Sequence, residues 1–162
     1  MGSGCTKTCP KCGFEFYSST GVGFMFPKVY AETIKKAKDG ELGTVLQNFF
    51  KDHVDGALDV EYVNLCCEKC GQLDVGMDLT MYIHKRKKPE KIEHGRWSVA
   101  APFEGAEYVS WSDLERYYDE YAKYPHKCVK CGGNMKILKD DAEMLCPECK
   151  VPLETTNFIM WD

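Results

Sequence analysis

This chain of 162 residues has no apolar run of the roughly 18 residues that a membrane crossing needs. A membrane span is therefore not expected. Its first residues, MGSGCTKT, lack the apolar core of a secretory signal. MGSG reads as a remnant of expression, and the cytoplasm is the expected compartment. Positive charge is not in surplus either. There are 21 Lys and Arg against 25 Asp and Glu, a net charge of −4, which opposes whole-surface attraction to phosphate. His53, His84, His94 and His126 show no paired ligand spacing. A His-Glu zinc motif, a nucleophile elbow and a phosphate-cradling glycine loop are all missing, and TGVGF reads as a turn. With no visible activated acid, base or nucleophile, no catalytic role is expected.

Cysteine is abundant, with ten residues. Eight fall into four Cys-x-x-Cys pairs: Cys9/Cys12, Cys67/Cys70, Cys128/Cys131 and Cys146/Cys149. A disulfide framework has no reason to repeat that spacing. A tetrahedral metal site does, because a short knuckle aims two thiolates at one ion. Reduced thiols free to ligate metal fit the cytoplasmic expectation. Apolar residues make up 44% of the chain, so a core is available, but two small halves would each bury little and would need such staples. Three knuckles carry Lys before the second cysteine, at Lys11, Lys69 and Lys130. A cation there offsets thiolate charge, although Lys is also common at exposed turns.

Between the knuckles the pattern alternates. Tyr30, Ile34 and Ala37 recur at helical spacing with Gly40 as the stop. Leu42, Val45, Leu46, Phe49 and Phe50 stripe a second helix. Leu73, Val75, Met77, Leu79, Met81 and Ile83 occupy alternate positions, the signature of one long strand bent at Gly76. His84 to Arg96 is charged and reads as an exposed linker. Ser112 and Glu115 match a capping box opening a third helix, striped by Leu114, Tyr117, Tyr118, Tyr121 and Tyr124 and ended by Pro125. The expected class is α+β: two knuckle-bearing β units, a helical insertion in the first and an amphipathic helix between them. The expected domains are 1–84, a linker over 85–110, and 111–162.

In the C-terminal quartet, NMKIL and EML read as two short strands around the turn KDDA, and ETTNFIMW as a third. The spacing Cys-x2-Cys-x14-Cys-x2-Cys resembles a zinc ribbon, in which a β-hairpin brings two knuckles together. The expected ligand sets are thus Cys128, Cys131, Cys146 and Cys149 in one site, and Cys9, Cys12, Cys67 and Cys70 in the other. The second set spans an insertion of 54 residues, tolerable because loop closure costs grow slowly with length. The alternative joins each N-terminal pair to a C-terminal pair across the chain, and requires dismantling the compact C-terminal unit. Cys66 adjoins Cys67 and should face the other way on a strand as a packed thiol. Cys5 with Cys9 and Cys12 spells the cluster motif of radical S-adenosylmethionine enzymes, but the chain lacks the repeated strand–helix units of their barrel.

The expected cofactor is Zn²⁺, two per chain, in closed four-thiolate shells. Each such centre carries −2, taking the chain from −4 to about −8. CPKCG and CPEC also resemble rubredoxins, which makes iron the alternative metal and electron transfer the function it would imply. The chain departs from rubredoxins by its insertion and its second quartet. The whole chain resembles bacterial proteins bearing two zinc ribbons, which implies a fold but no activity. The expected role is a metal-stabilised module that binds another protein. Nucleic acid is the alternative partner, through Lys85, Arg86, Lys87, Lys88, Lys91 and Arg96, with Glu90 and Glu93 interrupting that run.

Overall fold

The computed structural model describes residues 2–85, 93–98, 101–139 and 144–161. In chain order, β1 (Gly2–Thr8) and β2 (Glu15–Thr20) flank the first knuckle, and α1 (Phe26–Asp39) and α2 (Thr44–Asp52) follow. Then come β3 (Ala57–Leu58), β4 (Tyr62–Cys67), β5 (Leu73–Met77) and β6 (Met81–His84). After these lie β7 (Gly95–Arg96), β8 (Glu107–Tyr108), α3 (Trp111–Tyr117), β9 (Tyr118–Ala122), β10 (Met135–Ile137) and β11 (Glu154–Trp161). The fold is α+β, with its strands in small antiparallel sheets.

The chain divides into two compact units, and neither is a continuous segment. The first comprises residues 1–23, 61–78 and 125–162, and the second 24–60 and 79–124. This replaces the expected division into 1–84, 85–110 and 111–162. All four knuckles belong to the first unit.

The first unit holds two three-stranded sheets of the same plan, ordered β11-β1-β2 and β10-β4-β5. In each, the central strand enters a knuckle, one neighbour leaves that knuckle, and the other neighbour leaves a distant one. β1 is the centre of its sheet despite its glycines. A Cβ on Gly4 would lie 2.4 Å from the Tyr17 hydroxyl and 2.9 Å from the Trp161 ring, so only glycine lets these two rings lie over the strand. Gly2–Gly4 are strand residues, paired with Ile159–Trp161.

In the second unit, α1 begins with Pro27 in its first turn and stops at Gly40, whose φ of 85° lets its N–H reach the Ala37 carbonyl. Tyr30, Thr33 and Ala37 are its buried face. α2 buries Leu46, Phe49 and Phe50. Phe49 of α2 lies against Tyr121 of a sheet ordered β3-β6-β9, with ring centroids 5.5 Å apart, and the buried residues of that sheet include Leu58, Met81 and Tyr118.

Three local expectations are corrected here. The alternating run from Leu73 to Ile83 is two strands in different sheets, broken where Leu79 takes φ 59°. The third helix is capped by Ser110 and Asp113, two residues earlier than expected, and ends at Tyr117. Tyr118 then pairs with His84 as the chain enters β9, because aromatic residues fit a half-buried strand as well as a helix stripe. Within the presumed linker, β7 pairs with β8 and Trp97 is buried. Most of the charged stretch, including Arg86, Lys87, Lys88 and Lys91, lies outside the described residues, as do Asp140 to Glu143, which take in most of the KDDA turn.

Candidate metal centres

Each knuckle is built by the same two main-chain hydrogen bonds. The N–H of the first cysteine donates to the carbonyl five residues on: Cys9 to Phe14 (2.8 Å), Cys67 to Gln72 (2.9 Å), Cys128 to Gly133 (2.9 Å) and Cys146 to Val151 (2.8 Å). The N–H four residues on returns to the carbonyl of the first cysteine, from Gly13, Gly71, Gly132 and Lys150 at 2.8–3.0 Å. That returning residue is left-handed in all four, with φ of 74°, 74°, 68° and 58°. Glycine occupies it three times, for the usual steric reason. The turn leaves amide N–H groups aimed at sulfur: Cys70 N–H lies 3.5 Å from Cys67 Sγ, and Cys149 N–H 3.4 Å from Cys146 Sγ.

The knuckles meet in a nested order. Cys9 and Cys12 join Cys146 and Cys149, and Cys67 and Cys70 join Cys128 and Cys131. The sulfurs of each group all lie within 4.8 Å of one another. All eight expected ligands are thus brought into two groups of four, but the expected local pairings do not form. The cause is strand pairing. β11 runs antiparallel to β1 from Trp161 opposite Gly2 to Glu154 opposite Thr8, which delivers the last knuckle to the first. β10 runs antiparallel to β4, Met135 opposite Cys67, which delivers the third knuckle to the second. NMKIL and EML therefore do not form a hairpin with each other. Leu145 instead bridges to Pro152 across its own knuckle.

The geometry fits a metal ion. Sulfur separations include 3.6 Å for Cys12 and Cys146, 3.5 Å for Cys67 and Cys131, 3.7 Å for Cys70 and Cys128, and 3.5 Å for Cys70 and Cys131. A tetrahedron about 2.3 Å from centre to corner has edges of about 3.8 Å, whereas a disulfide would need about 2.05 Å. All ten cysteines are free thiols. The first cysteine of each knuckle is buried, at 0–2% exposure, whereas of the second cysteines Cys12 is exposed and Cys70, Cys131 and Cys149 are half-buried. These groups fit zinc-ribbon-like sites.

Protonation explains why such a group calls for a cation. The Cys70 N–H, ahead of the opposing effect of burial, draws the Cys67 thiol down to about 6. Cys131, although helped by the Gly133 N–H, is held up at about 11 by the thiols of Cys67 and Cys70 that share its protons. Four thiolates cannot coexist at that spacing unless a positive ion offsets them. An ion held by all four sulfurs of a group would have no position left for water or substrate.

Compared with family models, curated proteins and solved structures, the chain matches none.

Among the described residues, neither leftover cysteine nor any histidine joins a sulfur group. Cys5 is buried in β1. Cys66 turns away from Cys67, as expected for neighbours on a strand, and packs on the cluster of Leu73, Leu138 and Met144 beside the first centre. Burial pushes its thiol up. His126 lies with Nε2 2.8 Å from the Asp78 carbonyl. His53 lies tilted against Phe49 and edge-on to Tyr121, and His84 stacks on Tyr118 at 4.2 Å. Sequence reasoning did not single out Lys150, the one returning residue that is not glycine, whose ammonium donates to the Pro147 carbonyl at 2.6 Å. Its signal was available: the fourth knuckle, CPEC, has Glu148 where the other three have lysine.

Proposed function

We propose that this is a zinc-binding protein with two structural four-cysteine sites, that it catalyses no reaction, and that its folded surface binds another protein. The observation that carries the zinc reading is the closed, all-sulfur donor set of each group, with edges near those of a Zn²⁺ tetrathiolate. Protein expressed with controlled zinc and iron is expected to carry two zinc ions per chain by elemental analysis. Less than one metal per chain would sink the reading. A dominant iron content would move it to electron transfer, since the same sulfur cage accepts iron.

A protein partner is favoured by the surface of the first unit. Phe158, Ile159 and Met160 are 62%, 59% and 72% exposed on β11, the outer strand of its sheet. An apolar stretch on an outer strand is the kind of edge to which a partner's strand adds. The nucleic-acid alternative rests on the basic stretch. There Lys85 Nζ donates to the Glu115 carbonyl at 2.7 Å, and Arg96 pairs with Glu107 at 2.7 Å. Two of its six cations are thus engaged within the fold. No binding of random DNA or RNA oligonucleotides is expected at physiological salt. Micromolar binding that falls steeply with salt, and disappears when Lys85, Arg86, Lys87 and Lys88 are all changed to Ser, would make nucleic acid the partner.

A further inference from the structure

We propose that Lys150 is a cation shared by the two metal centres, rooted in the turn of one and held over the turn of the other. The inference rests on the reading that both sulfur groups hold metal. Lys150 is the one exception among four equivalent turn residues, standing with φ 58° where Gly13, Gly71 and Gly132 stand elsewhere. A left-handed backbone disfavours any residue with a Cβ, so the turn itself gives no reason for lysine. The same knuckle is the one that lacks lysine before its second cysteine. Each knuckle thus carries one lysine, and in the fourth it has moved two positions along the chain. Lys11, Lys69 and Lys130 lie at the tips of their own turns and, like Lys150, are exposed. The Lys150 ammonium donates to the Pro147 carbonyl at 2.6 Å, and lies 2.9 Å from where a Gly71 Cβ would stand. Gly71 is the left-handed turn of the Cys67–Cys70 knuckle, and Pro147 lies inside the Cys146–Cys149 knuckle. One ammonium is therefore set against the turns of both centres.

The physical consequence is a coupling. Each tetrathiolate with a divalent metal carries −2, and two such centres in one unit repel. A cation set against the turns of both lowers that repulsion and strengthens metal binding at both.

Lys150→Gly gives the two explanations opposite signs. As a matter of turn geometry, glycine relieves the left-handed backbone and should leave the metal as tight or tighter. As a matter of charge, it should weaken both centres. Cadmium serves as the probe, a thiophilic divalent ion whose NMR signal resolves one resonance per centre. The double variant Cys9→Ser/Cys146→Ser assigns them, since it leaves only the Cys67 centre. Chelator titration of Lys150→Gly is expected to strip cadmium from both centres at chelator concentrations lower by a factor on the order of five, less so at high salt, with Lys150→Arg like the wild type. Equal or tighter retention in Lys150→Gly, weakening confined to the Cys9 centre, or Lys150→Arg behaving as Lys150→Gly would each overturn the shared cation. A wild-type chain that binds no cadmium would instead overturn the metal reading itself.

Discussion

A chain carrying Cys9→Ser and Cys146→Ser together is expected to retain one metal ion, and a chain carrying Cys9→Ser and Cys67→Ser to retain none. The two double variants remove the same kind and number of sulfurs and differ only in which centres they strike. In the nested arrangement Cys9 and Cys146 belong to one group and Cys67 to the other. Had each half of the chain closed its own centre, the outcomes would be exchanged. The effect is large, because a structural zinc site contributes on the order of 10 kcal/mol of apparent binding free energy, and three sulfurs do not close its shell. Metal content of the two purified variants decides the matter. One ion retained in the Cys9→Ser/Cys67→Ser chain would refute the nested pairing.

That pairing marks the limit of what could be read from the sequence. The eight ligands were legible because Cys-x-x-Cys is a local device, complete within about six residues, and its two hydrogen bonds need nothing from elsewhere. Which knuckle meets which is decided by strands, and the deciding strand carries almost no local signal. β1 is GSGCTKT, with two glycines and no apolar alternation. Its place at the centre of a sheet depends on Tyr17 and Trp161 lying over Gly4, a contact that joins both ends of the chain. The short spacing between Cys131 and Cys146 then makes a local hairpin the natural reading, although β10 and β11 pair with strands far away in the sequence.

The helices show the complementary case. α1 and α2 were legible because stripe, glycine stop and burial agree. The tyrosine stripe continued past Tyr117 at helical spacing, but pairing with β6 turned Tyr118–Ala122 into a strand. Periodicity also misled between Leu73 and Ile83, where two short strands happen to keep phase across a left-handed Leu79. Local patterns were reliable where a segment closes its own hydrogen bonds, as knuckles and helices do, and failed where strand pairing decided the outcome.

Removing the metal is expected to melt the first unit and spare the second. The buried clusters of the first unit are Cys9, Leu73, Leu138, Met144, Cys146 and Leu153 in one, and Leu65, Cys67, Cys128 and Met135 in the other. Four of those ten residues are ligands, so without an ion the clusters lose the groups that close them and keep thiols in contact that compete for protons. What remains is a handful of apolar side chains, too few to hold three separate chain segments together. The second unit has an ordinary core, with Leu46, Phe49, Phe50, Leu58, Met81, Leu114 and Tyr118 all buried and no ligand among them. Its two segments would then be joined through residues 61–78 as a loose loop. Closing a loop of that length costs about 2.5 kcal/mol beyond a constant, less than such a core supplies. Acid should act in the chelator's direction, because every ligand must be deprotonated to bind, and falling pH returns protons to sulfur. The measurement is amide hydrogen exchange with and without a strong chelator. Protection is expected to vanish across β1, β2, β4, β5 and β11 and to persist in α1, α2 and β6. Protection that survives in β1 and β4 after verified metal removal would show that the sulfur groups do not hold this unit together.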